Sequence, residues 1–433
     1  MKRLLPLLLL LTGCGSDPVP EHSFSHAAYV WNYQWTGAVT SSVARAKTLG
    51  LDRLDVFCGE LGGSGHAAPD WTAAARAGLP VVPVLRVFAR RSGDIETRPE
   101  ALAADVSKTL LAALAAARAA GCTTAGAQLD LDCPERLLDA YADWLPTLRA
   151  ALPGEPLGVT VLPCHTGHTK AFRRLADAVD EFVLQVHGTR FPQNLAEPAH
   201  LVWEGEAGEA IRKAGRVGRP FRIALPSYAF TLVFDRAGGR MRGLRFPDDP
   251  PPGADGVERR LAPDVGVITR LMEEARRAEH CLGIAWFRLP VAGDPCAWDP
   301  GFFADVIAGR SPRPELRAGF TVLPDGRHEL WVFNRGVIDA PRPPSPSHGR
   351  SPSATTGSPV PRSITCPACC PPPSASLFPR PAPAPSPPGS VPPAPPPAST
   401  PCPSPREQPN PAHTQCGKLY QEIRNSMTDG MVI

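Results

Sequence analysis

Eight short apolar runs, each followed by a stretch with helical spacing, constrain this chain more than any other feature of its sequence. The runs occupy 27–35 (AAYVWNYQW), 53–61, 80–88, 126–132, 157–165, 181–189, 221–230 and 282–290. Helical apolar spacing covers 40–49, 99–120, 135–152, 170–179, 205–214, 265–280 and 302–308. Strands alternating with helices point to a parallel sheet. Eight such units over about 280 residues predict an α/β chain folded as a (β/α)8 TIM barrel, over 27–312. A doubly wound open sheet is the alternative. It usually has fewer strands, and no phosphate-binding glycine fingerprint follows the first run. After the seventh run, TLVFDRAGGRMRGLRF (231–246) reads as a β-hairpin turning at Gly238-Gly239. It would stand at the rim where βα loops build sites, as a lid, a wall or a decorated loop.

The two ends of the chain read differently. MKRLLPLLLLLTGCGSDP carries Lys2 and Arg3, a leucine-rich stretch and then small residues, which is the layout of a secretory signal peptide. The apolar stretch is too short to span a bilayer. LLTGC resembles the lipobox of bacterial lipoproteins, in which the cysteine, here Cys14, becomes the lipidated first residue. Residues 1–13 are then the signal peptide and 14–26 a tether. The expected location is the cell envelope, with membrane contact through a lipid on Cys14; where a cell has two membranes, the resemblance suggests the outer one. A formal net charge of +3 implies no nucleic-acid partner. Twelve scattered cysteines make neither a disulfide scaffold nor a paired C-x-x-C zinc pattern.

Beyond the barrel, residues 313–340 read as the start of a small β domain, with two strands flanking Asp325-Gly326. That domain is not completed. Residues 341–405 hold 25 prolines and no Asp, Glu or Lys, a composition that cannot build a core. The segment 341–433 is expected to be a disordered, Pro-rich tail, or the product of a shifted reading frame.

Functional residues should gather where the strands end. Strand four closes on QLDLDCPE, so Gln128, Asp130 and Asp132 share one face. Carboxylates inside a barrel are costly unless something uses or compensates them. The neighbouring strand ends offer Trp31, Glu60, Arg86, His165, Gln185, His187, Ser227, Tyr228, Trp286 and Arg288. Carboxylates, histidine and aromatic rings around one opening suit a carbohydrate. Glycoside hydrolysis needs a protonated acid at the leaving oxygen and a second group at the anomeric carbon. Two carboxyls held close in a partly dry site share one proton, and the pair titrates as a unit. Asp130, Asp132 and Glu60 are the candidate reacting carboxyls. Trp31, Arg86, Gln185, His187, Tyr228, Trp286 and Arg288 are the candidate substrate contacts. Structural readings compete: Asp130 held by Arg86, and Glu135 capping the helix that follows. His165, His168 and His187 with the aspartates could hold a metal, but strand one lacks the H-x-H of an amidohydrolase, so neither metal nor cofactor is expected. Cys58 and Cys164 read as buried, unreactive thiols rather than nucleophiles.

Three of these segments resemble the chitinase-type (β/α)8 glycosidases, family eighteen. LDLDCPE is similar to that family's D-x-D-x-E strand ending, IALPSYAF to its L-P-x-Y segment and GIAWFRLP to its eighth-strand tryptophan segment. The resemblance implies that Asp130 and Asp132 orient and stabilise, and that Trp286 floors a sugar pocket. It also implies an acid glutamate two residues after Asp132, where this chain has Pro134, with Glu135 one further on. Across 27–335, AYVWNYQW, QLDLD, LQVHG and WFRLP resemble an uncharacterised, often lipid-anchored bacterial family labelled as a domain of unknown function. That resemblance implies a glycosidase-type barrel. Two functions follow: a lipid-anchored glycoside hydrolase-like protein acting on a cell-envelope or extracellular polysaccharide, or a barrel that binds a glycan without cleaving it.

Overall fold

The structure, a computed structural model, describes residues 24–63, 67–245 and 253–310, and the strands 316–322 and 328–334. Cys14, the expected signal peptide and the proline-rich tail lie outside the described residues.

Eight parallel strands close into a barrel. In chain order they are β1 (Ser25–Val30), β2 (Arg53–Leu61), β3 (Val81–Val87), β4 (Ala127–Asp130), β5 (Leu157–Val161), β6 (Glu181–Gln185) and β7 (Phe221–Pro226), and the circle is completed by β11 (Cys281–Phe287). Each apolar run therefore became one strand, and the fold is a TIM barrel. The expected helices are present, among them Pro99–Ala119, which starts on proline and stops before Gly121. The strands are short because the chain must turn into the next helix after each pass. They are apolar on both faces because one faces the lumen and the other the helices. Closure between β1 and β11 depends on Gly283: its φ is +144°, and a Cβ there would fall 1.8 Å from the Ser25 carbonyl oxygen.

The lower end of the lumen, where the strands begin, is filled with charge. Arg53 Nε lies 2.8 Å from Asp55 Oδ1, and Arg53 Nη2 lies 2.9 Å from Glu181 Oε1. Arg222 reaches Glu181 Oε2 at 3.1 Å and donates to Ser25 Oγ at 2.9 Å. β2 and β6 stand on opposite sides of the circle, so the Arg53–Glu181 pair crosses the interior. Two guanidiniums and two carboxylates thus close this end. Burial raises the Glu181 pKa, but Arg53 and Arg222 outweigh it and hold the carboxyl below its ordinary range. Burial pushes Asp55 up against the pull of Arg53. Above them an aromatic layer fills the lumen: Tyr29, Trp31, Tyr33 and Phe57, with Val84, Val183, Ala224 and Ala285.

The expected hairpin is real and has a third strand. β8 (Phe230–Asp235), β9 (Met241–Arg245) and β10 (Gly256–Leu261) form an antiparallel sheet in the order β10-β8-β9. Gly239, at φ +64°, donates to the Asp235 carbonyl and closes the turn. Phe230, Leu232 and Phe234 alternate along β8 onto one buried face, packed with Leu201, Tyr228 and Leu244 and touching Phe287. Contact with Tyr228 and Phe287 makes the sheet a wall beside the barrel mouth.

A second unit holds two described strands. Within it, β12 (Leu316–Val322) pairs antiparallel with β13 (His328–Asn334), from Leu316 opposite Asn334 to Val322 opposite His328.

Candidate active site at the barrel mouth

The register of the sheet sets the acidic side of the mouth. Glu60 on β2 pairs with Arg86 on β3, and Arg86 pairs with Asp130 on β4. Neighbouring strands are about 4.8 Å apart, so Glu60 and Asp130 stand on strands about 10 Å apart with Arg86 between them. Glu60 reaches this row through a bulge. The register shifts between Phe57 and Gly59, which turns Glu60 to the lumen side, where Tyr33 donates to its Oε2 at 2.6 Å.

Beneath Asp130 a hydrogen-bond chain crosses the barrel. The Gln128 amide donates one hydrogen to Tyr29 Oη at 2.7 Å and the other to Thr160 Oγ1 at 3.1 Å. The Thr160 hydroxyl, already an acceptor from Gln128, gives its own proton to the Asp130 carboxylate. Burial, and then the neighbouring Asp132, push the Asp130 carboxyl up to about 6; Arg86 and Thr160 pull the other way. Asp132 lies just past the strand end, half-buried, and its Oδ1 is buried with no hydrogen-bond partner among the described residues. The two carboxyls therefore face one space, as the i, i+2 spacing predicted.

The opposite side is aromatic. His187 and Tyr228 lie 3.4 Å apart (Nδ1 to Oη) and both pack on Phe287, at ring separations of 5.4 and 5.6 Å. Burial alone takes the His187 pKa down to about 3, and its Nε2 has no hydrogen-bond partner among the described residues. The ring is neutral, with one buried nitrogen unpartnered. Trp31 stacks between Phe57 (4.5 Å) and Phe287 (5.4 Å), and its indole nitrogen also lacks a hydrogen-bond partner among the described residues. Gln185 is half-buried and donates to the His187 carbonyl at 3.4 Å.

Two expected contacts sit elsewhere. Trp286 is fully buried on the outer face of β11, 5.3 Å from Phe303 of a surrounding helix, with its Nε1 donating to His26 Nδ1 at 3.2 Å. It is a core residue between barrel and helices and cannot floor a pocket. Phe287, one position on, shares the lumen face with Ala285. The sequence reading missed it because both faces of this strand are apolar. The usable signal was the small pair Gly283 and Ala285, whose face is the crowded interior. Arg288 is 2% exposed and ion-paired with Asp294, so its guanidinium is committed to the loop after β11.

The remaining candidates are accounted for by local structure. His165 accepts from the Leu162 amide at 3.1 Å and its Nε2 lies 2.8 Å from the Cys133 carbonyl, so both ring nitrogens are used. Glu135 opens a short helical turn, exposed, 3.9 Å from His168. Among the described residues, no group of three His, Cys, Asp or Glu could hold a metal ion. Burial pushes the Cys58 thiol up to about 12. Cys164, expected to be buried, is exposed, and partial desolvation with the neighbouring Glu135 carboxylate pushes its thiol up to about 12 as well, which leaves both poor nucleophiles.

This mouth lies in a stretch with known relatives. A family model described as a domain of unknown function (DUF3142) matches residues 78–292. The DUF3142 match runs from just before β3 to just after β11, and so includes both aspartates, His187, Tyr228 and Phe287. No curated protein matches the chain. Among solved structures the chain is similar to the spore cortex-lytic enzyme SleL of Bacillus cereus, at 13% identity over 66% of this chain and 74% of that one, TM-score 0.47. It is also similar to a chitinase from Chromobacterium violaceum, at 14% identity over 67% and 100%, TM-score 0.46. A third is a putative alpha-L-fucosidase from Bacteroides thetaiotaomicron, at 13% identity over 70% and 98%, TM-score 0.44. Likeness at this level carries nothing about the chemistry of this mouth.

Proposed function

We propose that the protein is a lipid-anchored, glycoside hydrolase-like barrel of the cell envelope that acts on a polysaccharide. The observation that carries this is the Asp130–Asp132 pair: two half-buried carboxyls sharing the mouth, one pushed up to about 6, one with an unpartnered oxygen. A carboxyl in that range is partly protonated near neutral pH and can serve as a general acid. Asp132, with its unpartnered oxygen, faces the reacting carbon or orients the bound sugar, and Glu60 stands across Arg86 as a third carboxyl. The sugar lies against Phe287, with His187, Tyr228 and Gln185 beside it. A lipid on Cys14 ties the barrel to the membrane.

A second reading is a barrel that holds a glycan without cleaving it. Pro134 occupies the place where a glutamate acid is expected from the resemblance, and the side chain of Glu135 turns to His168. One experiment separates the two. Full-length protein in mild detergent is incubated with envelope and extracellular polysaccharides, and both reducing-end release and binding are measured, with Asp132→Asn alongside. Hydrolysis predicts release that falls about 100-fold or more in the variant while binding persists. Binding without release selects the second reading. Neither activity in folded protein overturns both. The anchor is tested by palmitate labelling, which Cys14→Ser should abolish.

A further inference from the structure

The described part of the barrel begins and ends at the same end. Phe24 precedes β1 at the lower end of the lumen, its ring 4.2 Å from the Arg276 guanidinium. The last helix, Pro300–Ile307, returns from the mouth to that end, where Ile307 packs at the Gly50 turn that leads into β2. Asp130, Asp132 and Glu60 occupy the opposite end.

We infer that the lower face, built by the turns that connect each helix to the next strand, rests on a bilayer bearing anionic headgroups, with the mouth pointing away from it. The inference rests on the proposal that Cys14 is lipidated. Charge supports it independently. In these turns Glu155, Asp177 and Asp180 are held by Arg118, Arg219 and Arg149 at 2.7 to 2.8 Å. Lys47, Arg76 and Arg216 remain exposed, with no carboxylate within ion-pair distance among the described residues. Asp52 and Glu279 are exposed carboxylates of the same face, and Asp52 already accepts from the His26 amide at 2.8 Å. Unpaired cations near a lipid anchor are drawn to an anionic surface.

The geometry then sets which substrates can be reached. The ten residues from Cys14 to Phe24 span at most about 35 Å. The 21-residue helix Pro99–Ala119, which runs between the two ends, is about 31 Å long. With the lower face on the bilayer the mouth stands about 30 Å above it, and a fully extended tether sets an upper limit of about 65 Å. At that height it meets a polymer strand and misses a saccharide still linked to lipid among the headgroups.

The test uses the lysines as reporters. Lys47 lies in a lower turn and Lys213 near the lower end of its helix, whereas Lys170 starts a helix at the mouth. Full-length lipidated protein is placed on vesicles of phosphatidylethanolamine with about 30 mol % phosphatidylglycerol. It is then acetylated with a water-soluble amine reagent and read by mass spectrometry against the detergent-solubilised sample. The expected result is modification slowed by about threefold or more at Lys47 and Lys213 and unchanged at Lys170. Protection at Lys170, or equal protection at all three, with the protein still floating on vesicles, overturns the orientation alone. Failure to float overturns the anchor and the orientation with it. The charge reversal R76E/R216E should keep flotation but remove most of the protection at Lys47; full protection in that variant counts against the role of the cations.

Discussion

The two ends of this barrel are built from the same kinds of residue and do opposite things with them. At the lower end, Asp55 and Glu181 meet Arg53 and Arg222, and the pairs run across the lumen. At the mouth, Asp130 and Asp132 face each other with Arg86 to one side, and an oxygen of Asp132 and a nitrogen of His187 have no hydrogen-bond partner among the described residues. Buried charge that is matched inside the protein plugs and specifies the fold. Buried polarity that is left unmatched is held ready for something outside it. The contrast shows how one barrel matches its buried charge at one end and leaves polar groups unmatched at the other.

Four measurements would break or sharpen that contrast. The largest effect should come from Glu181→Ala, which leaves two buried guanidiniums without their shared partner. Denaturant unfolding should show a loss of about 3–5 kcal/mol. Asp132→Asn relieves repulsion and should change stability by less than about 1 kcal/mol. Equal losses in the two variants would erase the distinction between the ends.

A second comparison lies within one strand. Trp286→Ala opens a cavity between barrel and helices and should cost about 3–5 kcal/mol, with glycan affinity per folded molecule unchanged. Phe287→Ala should weaken glycan binding by about tenfold, or about 1.4 kcal/mol, measured by affinity electrophoresis. If Trp286→Ala lost affinity and Phe287→Ala did not, the assignment of the lumen face would be wrong.

The third is the sign of the pH dependence. Asp130 has a folded pKa above its unfolded value, so the folded state binds more protons between about pH 4 and 6, and its contribution is lost as pH rises through that window. The size is up to about 3 kcal/mol. Glu181, held below its ordinary range, behaves in the opposite way: its contribution is present above the unfolded pKa and lost as pH falls. His187 and His26, both lowered by burial, also favour the higher pH, so each carboxyl must be read as wild type minus variant. Stability profiles of Asp130→Asn and Glu181→Gln should diverge from wild type with opposite slopes. Parallel slopes would refute the contrast.

The smallest effect concerns the chain under Asp130. Thr160→Val removes the hydroxyl that donates to the carboxylate and should raise the Asp130 pKa further, by about one unit or less, followed by carbon-detected NMR titration. An unchanged titration would show that Thr160 does not hold that carboxyl.

Much of the architecture was legible without coordinates. A parallel sheet buried on both faces demands apolar runs, and eight of them punctuated by helical spacing leave few topologies besides a closed barrel. The spacing of Asp130 and Asp132 was enough to place both on one face, because side chains in a strand alternate with period two. The same rule failed on β11, where Ile284, Ala285, Trp286 and Phe287 are all apolar and alternation cannot say which face is the lumen. It would also have misplaced Glu60, whose facing is set by the bulge at Gly59. The ion pairs of the lower end were invisible, since Arg53 and Glu181 are 128 residues apart in the chain. Local pattern determined the elements and their order. Which face of each strand looks inward, and which charges meet across the lumen, only barrel closure could decide, because both depend on register between strands distant in sequence.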